Sequence, residues 1–235
     1  MSHYQPFVLF GRSHEIVLAL IVLVPVALSI LVRAVKSRVL TRAICWVFAI
    51  AILGAWAFWY WIAKGNGWLD LGNELPMDLC SWACIATVAT LIHPNQKSYE
   101  LAYFWALAGT LQGILTPDIR YDFPEPRFIE FSVFHGCIIA SVLFLTLGMR
   151  MRPYPISVLR VMAWSLFYMA AAAAVDWALK VNYGFLRAKP SHASLYDLMP
   201  DWPYYLPVVV VLGVISVLFY YAPFFLADRL RGLRK

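Results

Sequence analysis

Seven apolar stretches dominate the chain, over residues of approximately 15–32, 43–62, 75–92, 99–116, 129–147, 157–179 and 204–226. At about 1.5 Å of rise per residue, each comes close to the thickness of a bilayer's hydrocarbon core. The first, third and fourth are the shortest. Of the 235 residues, 62% are hydrophobic and only 14% charged. A soluble domain has roughly 45–50% apolar and about 25% charged residues. This chain holds more apolar surface than one core can bury, which excludes a soluble globule, a disordered tail and a fibrous repeat.

The connecting segments are short and rich in helix breakers: Gly65-Asn66-Gly67, His93-Pro94-Asn95, residues 117–126, Arg152-Pro153 and residues 189–203. No composition shift marks a second domain, so a single membrane domain over 1–235 is expected. The alanine run 170–174 would let a neighbouring helix approach closely. The first apolar run follows several polar residues and precedes no small-residue cleavage site, so it reads as a retained helix. Cys45, Cys80, Cys84 and Cys137 lie in apolar stretches, without the spacing of a disulfide framework, a redox pair or a zinc site.

The formal charge of +6 tests the topology. With the N-terminus outside and seven crossings, the inner side receives 12 of the 19 basic residues and two acids, Glu100 and Asp228. It then carries about +10 and the outer side about −4, the basic bias that orients membrane proteins. A six-helix arrangement would put both termini on one side and spoil the asymmetry. The predicted fold is an all-α polytopic bundle of seven transmembrane helices, N-outside and C-inside. The positive charge thus reports orientation rather than a nucleic-acid partner. Trp56, Trp59, Trp61 and Trp68, with Trp202, Tyr204 and Tyr205, read as outer interfacial belts. Filling of helix–helix space is the other reading of these aromatics.

Polar groups inside membrane helices are costly and are functional candidates by default. Asp78, Gln112, His135 and Asp176 each fall one to one and a half turns from the outer end of a predicted helix. Four helices offering polar groups at one level predict a shared cavity near the outer leaflet. The same groups would also serve as a hydrogen-bonded network that only fixes packing. A histidine beside a carboxylate is equally a general acid–base pair. Cys80 lies two residues beyond Asp78, so a regular helix points the two to nearly opposite sides unless Pro76 distorts its start. With Cys80 inward, a Cys–His nucleophilic pair forms; with Asp78 inward, the pair is His135–Asp78 and the cysteine is packing.

The loop 117–127 is charged, aromatic and stiffened by three prolines, and carries Asp118 and Arg120. It reads as a rigid outer lid or as an ordinary interfacial loop. Asn182, Tyr183, Arg187 and Lys189 follow the sixth stretch on the same side, as a lipid-phosphate site or a solvated loop. His3, His14, His93 and His192 are scattered, with no metal-ligand spacing.

Several segments carry a family resemblance. They are Glu74-Leu75-Pro76-Met77-Asp78-Leu79-Cys80, then Tyr103-Phe104-Trp105-Ala106-Leu107-Ala108-Gly109-Thr110-Leu111-Gln112 running into Leu115-Thr116-Pro117-Asp118, and Phe134-His135-Gly136. Asn182-Tyr183-Gly184-Phe185-Leu186, Lys189-Pro190 and Ala193-Ser194-Leu195-Tyr196-Asp197-Leu198 complete the set. In order and spacing they resemble the YwaF-like family of bacterial integral membrane proteins. That family is similar to a eukaryotic transmembrane protein described as a cysteine-dependent acyltransferase for ether phospholipids. More distantly, it resembles membrane hydrolases that cleave fatty-acid esters of hydroxy fatty acids. The resemblance implies that His135 is the catalytic base and that a nucleophile stands at the start of the third helix. Two positions depart from the pattern: many members have histidine in place of Asp78, and the eukaryotic relative has its cysteine where this chain has Met77.

The expected function is that of a membrane-embedded lipid acyltransferase or ester-lipid hydrolase in a bacterial cytoplasmic membrane. His135, Cys80 and Asp78 are the candidate catalytic residues. Gln112, Asp118, Arg120, Asp176, Asn182 and Tyr183 are the candidate substrate-binding residues. Membrane lipids are the expected partners, an acyl lipid the substrate, and such acyl transfer needs no cofactor. The alternatives are a non-enzymatic carrier, receptor or assembly subunit with a polar ligand pocket, and a scaffold whose network only fixes packing.

Overall fold

The computed structural model describes residues 4–70, 74–190 and 195–232. His3, His192, Ala193 and Ser194, named above, lie outside the described residues. The described chain is helical, with no strand and one isolated bridge, Pro6 to Tyr121. The α-helices that frame the molecule are α1 (Arg12–Val35), α2 (Arg38–Gly65), α3 (Leu79–Ile92), α4 (Gln96–Trp105), α5 (Leu111–Leu115), α6 (Pro126–Leu147), α7 (Pro155–Leu179) and α8 (Tyr205–Gly232), the short α5 being included because it continues α4. A π-helical turn, Ala106–Thr110, joins α4 to α5, so helix runs unbroken over residues 96–115. Short 3₁₀ turns occupy Tyr183–Phe185 and Leu195–Leu198.

Among the described residues, five helices are long and apolar enough to cross a membrane: α1, α2, α6, α7 and α8. Their ends reach past the apolar stretches because a helix can carry its polar first and last turns into the interface. Ser37 caps α2 by accepting from the Leu40 amide at 3.2 Å. Pro126 opens α6, with the Glu125 carboxylate accepting from Phe128 N–H at 3.0 Å. The third stretch is shorter as a helix than as an apolar run. Residues 75–78 stay outside α3, where Pro76 offers no amide to a helical ladder.

Two compact units partition the chain: Met1–Trp68 with Ala83–Arg152, and Leu69–Trp82 with Pro153–Lys235. In the first, α6 is the most enclosed helix and packs along α1 and α2. Its core face carries Phe131, Phe134, Ile138, Val142 and Leu145. Gly136 lets α1 in close: a Cβ there would stand 3.1 Å from Ile21 Cγ1. Arg42 on α2 donates to the carbonyls of Leu91 at 3.2 Å and Ile92 at 2.7 Å, which satisfies the C-terminal end of α3.

In the second unit, α7 packs against α8 and against the loop that follows it. Tyr168, Ala172 and Tyr183 form a core with Leu75, Met77, Leu79, Trp82 and Leu186 around it. Trp82 meets the Tyr168 ring edge-on at 5.3 Å between centroids.

Candidate functional site

His135 lies on α6 in the first unit. Its Nδ1 is 3.0 Å from the Phe131 carbonyl one turn earlier. A carbonyl only accepts, so in the neutral ring Nδ1 carries the proton and Nε2 presents a lone pair. The imidazole is stacked on Phe131 at 4.0 Å and flanked edge-on by Phe134 at 5.1 Å, which fixes its plane. Across from it is Gly113 of α5: a Cβ built there would lie 3.5 Å from His135 Cδ2 and 3.8 Å from Nε2. Thus α5 passes the ring with bare backbone. The π-turn before α5 shifts its register, and such turns often mark functional positions. Within it the Thr110 hydroxyl is buried without a hydrogen-bond partner among the described residues.

The remaining first-unit candidates are peripheral. Gln112 is exposed on α5, its backbone carbonyl taken by the Thr116 hydroxyl at 3.1 Å. Asp118 and Arg120 are exposed in the loop before α6, and the Arg120 guanidinium sits over the Tyr121 ring at 5.5 Å. That loop is pinned by the N-terminal segment: Phe7 N–H donates to the Arg120 carbonyl at 3.1 Å and Asp122 N–H to that of Gln5 at 2.9 Å. At the start of α6, Arg127 pairs with buried Glu130 and lies 3.8 Å from the Trp59 ring centroid.

The second unit brings together Asp78, Cys80, Asp176, Asn182 and Tyr183. Asp176 is fully buried in the last turns of α7, and its Oδ1 accepts from Tyr183 N–H at 2.7 Å. Tyr183 in turn accepts at its hydroxyl from Leu75 N–H at 2.9 Å, which holds the segment before α3. Asn182 organises the following loop, accepting at Oδ1 from the amides of Arg187 at 2.9 Å and Ala188 at 3.0 Å. Arg187 returns to donate to the Asp176 and Val181 carbonyls. Here Asn182 and Arg187 act as loop-building residues.

Asp78 occupies the turn ahead of α3, so the two-residue spacing to Cys80 is not a helical one. Both residues lie within electrostatic range of the Tyr168 hydroxyl, as do Asp176 and Tyr196. Asp78 is exposed along one edge of the turn, yet the protein beside its carboxyl desolvates it in part and raises its pKa above the ordinary carboxylate value. A hydrogen bond from Gly184 N–H opposes that rise, while the Asp176 and Glu74 carboxylates add to it. Cys80 is half-buried on the first turn of α3. Two buried atoms in this cluster lack partners among the described residues: the Tyr168 hydroxyl and Asp176 Oδ2. Among the described residues no three His, Cys, Asp or Glu side chains gather as a metal site.

Tyr168 and His14 are two site residues that do not stand out in the sequence. Tyr168, Ala172 and Asp176 follow one another at four-residue spacing, so one helical stripe joins the tyrosine to the aspartate. That signal was available. His14 gave none, because its partners are backbone atoms.

Several apolar spanning helices, with polar groups set among them, define an integral multi-pass α-helical membrane protein. The sequence matches the profile described as the TMEM164 family over residues 9–221, and the chain belongs to that family of transmembrane proteins. No curated protein and no solved structure matches it.

Proposed function

We propose that this chain is a membrane-embedded enzyme acting on acyl esters of membrane lipids, by acyl transfer or hydrolysis, with His135 as its general base. The observation that carries the reading is the state of the His135 ring. Its Nδ1–H is bound to the Phe131 carbonyl, and its Nε2 lone pair is left against side-chain-free Gly113. That is the tautomer a base requires. The resemblance of the Phe134-His135-Gly136 segment to YwaF-like proteins, with their ether-phospholipid acyltransferase relative, supports the same role.

In this mechanism Nε2 takes the proton of a water or of a lipid hydroxyl as its oxygen attacks the ester carbonyl. The tetrahedral intermediate then collapses, and the departing lipid alkoxide receives that proton from the imidazolium. Water as nucleophile releases a fatty acid; a lipid hydroxyl yields a new ester. Cys80 is the alternative nucleophile suggested by the resemblance, through a thioester.

Seven crossings complete the proposal, with the N-terminus outside, in a bacterial cytoplasmic membrane. The unbroken helix over 96–115 and the shorter α3 supply the two crossings beyond the five long helices. The inward bias of basic residues supports this orientation. An impermeant maleimide should label Asn66→Cys and not Lys97→Cys in intact cells; the reverse pattern refutes the orientation.

The activity is tested in nanodiscs of phosphatidylethanolamine and phosphatidylglycerol carrying a fluorescent acyl chain. Wild-type protein should transfer or release the chain, and His135→Ala should lose at least about a hundredfold. Full turnover in His135→Ala ends the proposal. Cys80→Ala separates the routes: it abolishes a thioester pathway and spares direct attack by an activated hydroxyl.

The partnerless Tyr168 hydroxyl and Asp176 Oδ2 favour a second reading, a carrier or receptor that holds a polar group in the second unit. An acyl probe that modifies the enzyme covalently would leave such a carrier unmodified.

A further inference from the structure

His14 is 2% exposed near the start of α1, and both of its ring nitrogens are engaged by backbone. The Phe10 amide donates to Nδ1 at 3.1 Å. An amide only donates, so Nδ1 carries the lone pair and Nε2 the proton, which goes to the Ile114 carbonyl at 2.8 Å. The ring is stacked with Phe10 at 5.5 Å and met edge-on by Phe7 at 5.4 Å.

The carbonyl it holds is one that its own helix leaves without a helical donor. The last four carbonyls of any helix lack one, and α5 ends at Leu115, after which Thr116 turns out of helical geometry (φ −132°, ψ 69°). Ile114 itself is buried. Its neighbour Gly113 is the residue that faces His135. A continuous path therefore runs from the Phe10 amide through His14 to the Ile114 carbonyl, and then by one peptide unit to the glycine beside Nε2 of His135.

We propose that His14 is a positioning residue for His135: by holding the Ile114 carbonyl it sets α5, and with it Gly113, at the distance that decides how widely His135 Nε2 is open to an approaching group. This inference rests on the reading of His135 as the base, but its geometry is testable without lipid turnover.

Diethyl pyrocarbonate acylates the unprotonated imidazole nitrogen, and its adduct on His135 is quantified by mass spectrometry of the full-length protein in nanodiscs. His14→Ala should raise the His135 labelling rate about fivefold, the change in local opening that losing one hydrogen bond produces. His14→Asn keeps an acceptor near the Nδ1 position and loses the donor to Ile114, so it should behave like His14→Ala. His14→Gln keeps a donor near the Nε2 position and should label at the wild-type rate. Equal His135 labelling in wild type and all three variants overturns the proposal.

A second measurement needs no variant. In ¹⁵N-histidine spectra of the wild-type protein, neutral His14 must be the Nε2–H tautomer and neutral His135 the Nδ1–H tautomer; the opposite form at either ring overturns the proposal. A change in His135 labelling without lipid turnover in any sample supports the positioning role and counts against His135 as a base, so the two failures are distinguishable.

Discussion

Gly113 faces the imidazole of His135 at a distance that ordinary van der Waals contact would just fill. A methyl group there would lie 3.5 Å from Cδ2 and 3.8 Å from Nε2. The glycine is not required by backbone geometry, since α5 is regular helix. It leaves room beside the one ring nitrogen with an available lone pair.

The substitution Gly113→Ala should therefore fold, and even gain up to about 1 kcal/mol from helix propensity. Its methyl group would cover Nε2. The expected result is a thermal midpoint at or above wild type together with at least about a tenfold loss of acyl turnover. Undiminished turnover would show that nothing needs to approach the ring from this side.

Tyr168 is nearly fully buried, and its hydroxyl has no partner among the described residues. Such a hydroxyl costs desolvation without returning a hydrogen bond. Tyr168→Phe should raise stability by about 1 kcal/mol in ligand-free protein, read as a higher midpoint in a thermal melt. A lowered midpoint would mean that the hydroxyl makes a bond in the folded protein.

Gly184 is constrained in two ways. Its φ is +60°, and a Cβ there would stand 2.9 Å from the Tyr168 hydroxyl oxygen. Gly184→Ala should cost roughly 1–3 kcal/mol from left-handed backbone strain plus this contact. Adding Tyr168→Phe removes the contact but not the strain, so the double variant should recover part of the loss. Strict additivity in a double-mutant cycle would show that the two sites are uncoupled.

Asp78 offers a test by pH. Its folded-state pKa is raised, first by desolvation. The folded protein therefore binds this proton more tightly than the unfolded chain does. Its contribution to stability is complete below the ordinary carboxylate pKa and is lost as pH rises through the raised value. Asp78→Asn removes that loss. The midpoint difference, variant minus wild type, should grow as pH is raised from about 4 to about 7. The accessible edge of the carboxyl keeps the effect modest. A difference that shrinks over this range would show that the carboxylate is stabilised.

How much of this was legible in advance depends on the kind of interaction. The long helices α1, α2, α6, α7 and α8 answer to apolar stretches read directly from the sequence, because lipid demands that each crossing satisfy its own backbone hydrogen bonds. Asp176 and His135 were legible as polar groups in apolar surroundings. The turn at 75–78 was less so. Proline predicted some distortion, but the Tyr183 hydroxyl that receives the Leu75 amide lies more than a hundred residues away. Helical spacing reads Gln112 as a cavity residue; the π-turn just before it alters the register that such spacing assumes, and the residue is exposed.

Composition and pattern alone establish the class of molecule: an excess of apolar residues in spanning-length runs, with the few charges confined largely to the connections. Solvent chemistry is additive along a chain, so composition and pattern suffice to read it. Packing decides which nitrogen of His135 carries the proton, why Gly113 is bare, that His14 holds the end of α5, and that Tyr168 lies near both Asp176 and Asp78. Each of these depends on a backbone carbonyl, a missing side chain or a contact distant in sequence. Such partners carry no residue-type signal, because every residue has a carbonyl and only packing selects which one is met.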